Sequence, residues 1–115
     1  MLTIEKLEEF GAETKDGLER CLNDAEFYLD LIPGALERGN YERIEAAIHA
    51  GNLPEAFEAA HALKGILGNL ALMPIYEPVS EMTECLRARD ASADYPAFLK
   101  KMWAERDRLE ELINK

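Results

Sequence analysis

The residues best placed to do chemistry are His61, Lys64, Gly65 and Gly68, in the run His61-Ala62-Leu63-Lys64-Gly65-Ile66-Leu67-Gly68-Asn69-Leu70. On a helix, about 100° of rotation per residue puts Gly65 and Gly68 within about 40° of His61. Each mid-helix glycine costs about 0.5–1 kcal/mol relative to alanine. Two of them beside one imidazole bare the backbone around it. An imidazole that is neutral near pH 7 is a nucleophile toward phosphorus. A phosphoryl group placed on it would add close to two negative charges. Lys64, three residues on, lies about 5–6 Å away between Cβ atoms and can offset that charge as a flexible point cation. Leu72 extends the stripe with an apolar contact suited to a docking protein surface.

Helical spacing dominates the chain that must position these groups, and strand signals are weak. Thr3 caps a short first helix, Gly11 interrupts it, and a second short piece runs from about Lys15 to Arg20. Asn23 and Glu26 have the capping-box form, opening a helix with an apolar stripe of Phe27, Tyr28, Leu31, Ile32, Ala35 and Leu36. Gly39-Asn40 is expected to end that helix and cap the next, whose inner face is Tyr41, Ile44, Ala47 and Ile48. Asn52 and Glu55 open a longer helix to about Leu72, with Pro54 in its first turn and Ala56, Ala60, Leu63, Leu67 and Leu70 facing the core. Pro74 starts a helix to about Arg89, and Asp94 caps a final one carrying Phe98, Met102, Leu109 and Leu112. Short connections make neighbouring helices antiparallel. The expected fold is all-α: an up-and-down antiparallel four-helix bundle with short extra helices at the amino end, residues 1–115 forming a single domain.

Composition narrows the partners. A net charge of −10 argues against nucleic acid and against an anionic membrane surface. No apolar run approaches the roughly 20 residues that span a bilayer. Residues 1–6 lack the basic-then-apolar pattern of a secretion signal. Cys21 and Cys85 match no metal or redox spacing, which suggests two reduced thiols, with a disulfide between them as the alternative. These features together suggest a cytoplasmic protein. His49 sits near a helix carboxyl end and reads as structural. His61 and His49 lie on different helices without the carboxylate–histidine spacing of a metal-binding bundle, so no metal or cofactor is expected on this chain.

Ala60-His61-Ala62-Leu63-Lys64-Gly65, followed by Asn69-Leu70-Ala71-Leu72, resembles the signature of the histidine-containing phosphotransfer domains of multistep phosphorelays. Upstream, Gly17-Leu18-Glu19-Arg20-Cys21-Leu22-Asn23-Asp24 and Glu26-Phe27-Tyr28 are similar to the start of that family's bundle, so the resemblance covers essentially the whole chain. It implies a carrier that takes a phosphoryl group on His61 from a receiver-domain aspartate and passes it to another receiver. Lys64 would be the phosphate-side cation, with Gly65 kept small for docking and Gly68 adding to the opening. The partners implied are response-regulator receiver domains and a hybrid histidine kinase. The receivers would bring Mg2+, and this chain would hold no nucleotide site. The family resemblance implies a monomer, and Met1 with the short length suggests a free-standing carrier.

The chain departs from the family pattern in two places. Ile66 and Leu67 stand where many members have small or hydroxylated residues; Leu67 falls on the core face and Ile66 points roughly opposite. Thr83 occupies the place where many members carry a carboxylate or amide that orients the imidazole. Thr83 or Glu84 would have to supply that contact. The alternative function is a non-transferring helical binding module that docks a receiver or kinase partner. A phosphoacceptor domain labelled directly by a kinase shares the same chemistry with a different donor.

Overall fold

Short polar side chains begin four of the seven helices. The computed structural model describes residues 1–115 and holds α1 (Ile4–Phe10), α2 (Thr14–Arg20), α3 (Ala25–Ala35), α4 (Arg38–His49), α5 (Leu53–Asn69), α6 (Met73–Arg87) and α7 (Tyr95–Ile113). Thr3, Asn52 and Asp94 each accept a hydrogen bond at 3.1 Å from the amide three residues on. Each thereby satisfies one of the donors that a helix start leaves unpaired.

Three boundaries differ from expectation. At α3 the cap is Asp24, which accepts from the Phe27 amide, and not Asn23. Leu22 and Asn23 both adopt left-handed backbone (φ 60° and 58°), so the turn uses them up and Asp24 is the first residue free to cap. Gly39-Asn40 is no break. Pro33 withdraws one amide from the α3 ladder, the helix stops at Ala35, and α4 already contains Gly39 and Asn40 in its first turn. The Ala35 carbonyl left over accepts from the Tyr41 hydroxyl at 2.8 Å. Finally, α5 ends at Asn69, since Ala71 turns left-handed (φ 55°) and α6 starts at Met73.

Helices α4 to α7 form the bundle: α4 packs on α5, α5 on α6, α6 on α7, and α7 back on α4. The links between them are short, so successive helices run antiparallel. The α5 positions spaced for the core, Ala56, Ala60, Leu63 and Leu67, are all buried. Trp103 packs against Tyr41, with ring centres 5.6 Å apart, and Tyr95 donates its hydroxyl to the Asp90 carbonyl. Cys21 is buried, Cys85 is half-buried, and both are free thiols. No helix is long and apolar enough to cross a membrane.

The short helices are an extension at the amino end: α1 packs on α7 and α2, and α3 on α2 and α5. Their anchor is Tyr28. Its ring is buried against the bare backbone of Gly17, and its hydroxyl donates to the Leu70 carbonyl at 2.7 Å, just past the end of α5. Burial pushes the phenol up to about 12, so it remains a neutral donor. A Cβ on Gly17 would lie 2.5 Å from the Tyr28 oxygen and 2.6 Å from the ring. Gly17→Ala is therefore expected to destabilise the fold by about 1–3 kcal/mol, read as a lower urea midpoint. An unchanged midpoint would mean that the ring is free to move aside.

Candidate functional site around His61

Helix α5 carries the site because its two faces differ. Ala60, Leu63 and Leu67 hold one face to the core, and the geometry of the helix then turns His61 and Gly65 outward, where both are exposed. The imidazole lies on the Phe57 ring one turn earlier, with centres 5.5 Å apart and planes 19° from parallel. Two guanidinium groups cover Phe57 in turn, Arg87 at 5.0 Å and Arg89 at 5.3 Å from the ring centre. Cations over an aromatic face are attracted by its quadrupole. The histidine thus stands at the edge of an aromatic and cationic cluster built from α5, α6 and the turn that follows α6.

Lys64 reaches the same cluster. Its side chain is only 24% exposed, and its Nζ lies 3.7 Å from Glu84 Oε1. The other oxygen of Glu84 accepts from Arg87 Nε at 3.1 Å. Glu84 therefore contacts two cations and makes no contact with the imidazole. Thr83 makes none either: it is fully buried, and its hydroxyl donates to the Val79 carbonyl of its own helix at 2.6 Å. Neither residue orients His61, which corrects that expectation. A threonine on the inner face of a helix has the carbonyl four residues back within easy reach, and its hydroxyl bonds there.

The two glycines serve different ends. A Cβ on Gly65 would meet nothing within 4 Å, so its smallness answers no need of the fold. A Cβ on Gly68 would stand 3.2 Å from the Tyr76 ring, so that glycine admits an aromatic side chain from α6. Leu72, expected as an exposed docking contact, is fully buried at the start of α6. The left-handed turn at Ala71 ends the α5 stripe before Leu72 can extend it.

A cleft of about 400 Å³ opens beside His61, with Lys64, Gly65 and Gly68 on one side and Asp16 and Arg20 of α2 on the other. Arg20 donates to Asp16 at 3.1 Å and to the Asn69 side chain at 3.5 Å, which sets a second cation across the cleft from Lys64. Next to it, Leu31, Gly34 and Ala35 of α3 and Ile66 of α5 line an apolar groove, and Asn69 borders both hollows. Leu31 (40%) and Ile66 (39%) are exposed here, and so is Phe27 (46%) one turn before Leu31 on α3, although Phe27 and Leu31 belong to the apolar stripe expected from the sequence. Phe57 was missed in the sequence, although its place four residues before His61 on the same face is a signal that could have found it. Arg20 and Arg87 had no such signal, since only the folded chain brings α2 and α6 to α5.

The family model of the Hpt domain matches residues 18–115. The chain belongs to the Hpt domain family. No curated protein and no solved structure gives a significant match. In this Hpt domain the bundle and the whole α5 surface fall within the matched stretch, while α1 and the first half of α2 precede it. The role of the family is that of a phosphoryl carrier in two-component signalling, working with receiver domains and histidine kinases and holding no nucleotide site of its own.

Proposed function

We propose that this chain is a phosphorelay carrier in which His61 takes a phosphoryl group from a receiver-domain aspartate and gives it to a second receiver. The observation that carries the reading is the exposed imidazole flanked by the open backbone of Gly65 and by Lys64. In the transfer, the unprotonated ring nitrogen attacks phosphorus. An N–P bond forms as the P–O bond to the donor aspartate breaks, and its electron pair stays on the carboxylate. The other ring nitrogen keeps its proton at that moment. The reverse step, with a second aspartate attacking phosphorus, returns the imidazole. Lys64 balances the added charge, and the receiver supplies magnesium. We assign receiver docking to Gly65 and to the strip of Leu31 and Ile66, which adjoins the histidine cleft at Asn69, together with the exposed Phe27 one turn before Leu31 on α3. The reading places the chain in the cytoplasm as a monomer.

The test is transfer from a phosphorylated receiver, with magnesium, to this chain. Acid-labile, base-stable label on the chain is expected; its absence across the receivers of the source organism would sink the reading. Lys64→Ala is expected to lower transfer about tenfold, the loss of one charge-assisted contact of roughly 1.4 kcal/mol. A rate equal to that of the unaltered chain would show Lys64 to be a bystander.

One observation favours a second reading. The imidazole has an aromatic neighbour but no hydrogen-bonding side chain to fix its tautomer. A docking module that transfers nothing needs no such fixing. Receiver affinity unchanged by His61→Gln, with no label on either form, would support it.

A further inference from the structure

Lys64, the cation that the carrier reading assigns to the phosphoryl group, already has a carboxylate partner. Glu84 Oε1 stands 3.7 Å from its Nζ, while Glu84 Oε2 rests 3.1 Å from Arg87 Nε. The arrangement is asymmetric. Lys64 is mostly covered and starts one turn from His61, so it has little room to go elsewhere. Glu84 is 57% exposed and keeps Arg87 if it lets Lys64 go. A phosphoryl group on His61 would present close to two negative charges to the same ammonium and would repel the carboxylate. Release of Glu84 then gives up one exposed ion pair and strands no charge, so the exchange has a low threshold.

We propose that Glu84 is a positioning residue that competes with the phosphoryl group for Lys64. This rests on the reading of His61 as the phosphoacceptor and adds a regulation of that site. Glu84 holds Lys64 at the site before transfer and weakens its grip afterwards. The phosphorylated form is left less stable than Lys64 alone would make it. Such a carrier gives up its phosphoryl group more readily, which suits an intermediate that must both receive and donate. Arg87 sets how readily Glu84 leaves, since it offers the carboxylate its other cation.

The test uses the full chain and potassium phosphoramidate, a small donor that needs no receiver. The His61 nitrogen attacks phosphorus, the P–N bond of the donor breaks, and ammonia leaves. At a fixed ratio of phosphoramidate to ammonia, the readout is the equilibrium ratio of phosphorylated to free chain. Glu84→Gln is expected to raise this ratio about threefold, the size of one exposed ion pair. In the Lys64→Ala background the same substitution is expected to raise it much less. No rise in the single variant would overturn the proposal. So would an equal rise without Lys64, which would mean plain repulsion through space. A chain that takes no label from phosphoramidate overturns it as well. Label from phosphoramidate with none from any receiver would instead defeat the relay reading and leave the competition standing.

Discussion

His61→Gln is expected to remove all acid-labile phosphate incorporation from a phosphorylated receiver while leaving the helical content unchanged. The loss is complete because the amide of glutamine is no nucleophile toward phosphorus, whereas a neutral imidazole is. The fold should persist because His61 is exposed and glutamine is a good helix former. Only the stacking on Phe57 is given up, a contact worth about 0.5–1.5 kcal/mol at most. His49 provides an internal control: it is the other histidine, exposed at the end of α4. Label surviving in the variant would move the acceptor to His49 or elsewhere. Circular dichroism alongside the labelling separates lost chemistry from lost structure.

The second large effect splits stability from function. Gly65→Gln is expected to stabilise the bundle by about 0.5–1 kcal/mol, since glycine is a poor helix former and the added side chain meets open space. The melting temperature should rise by a few degrees, on the order of 2–6 °C. Transfer should fall by more than about tenfold, because a side chain beside the imidazole imposes a docking penalty above ~1.4 kcal/mol. Opposite signs in one variant are the signature of a position kept small for a partner. A variant that gains stability and transfers normally would remove Gly65 from the docking surface. Gly68 is no substitute for this experiment, because Tyr76 already occupies the space a side chain would need.

Much of this arrangement was legible in sequence, and the misses share a cause. The caps at Thr3, Asn52 and Asp94 are local events, decided by a side chain and an amide three residues away, and they stand where expected. The inward face of α5 followed from spacing alone. What spacing does not give is the width of the buried stripe. Phe27 and Leu31 have the right phase but lie at its edge, where no helix covers them. Leu72 errs the other way, read as a continuation of a helix that a left-handed residue had already ended. At Asn23 two good capping residues stood side by side, and the backbone of the preceding turn chose the second. The partners of Lys64 and Phe57 belong to α6 and the turn after it, so nothing within α5 could have paired Glu84 with Lys64 or Arg87 with Phe57.

The Tyr28 hydroxyl moors the α3 region to the end of the helix that bears His61, with its ring seated on Gly17. One hydrogen bond and one packed ring thereby tie the apolar strip to the helix of the reactive nitrogen: the chain carries a ruler. A receiver docked on Phe27, Leu31 and Ile66, as we propose, would arrive with its aspartate at a set offset from the imidazole. On that reading, grip at the strip would be converted into alignment at phosphorus, the entropic advantage of an intramolecular reaction lent to a passing encounter. Receivers whose own offset does not match would bind the strip and still fail to react. Choice among look-alike partners would then be made by distance alone, with no need for a tighter embrace.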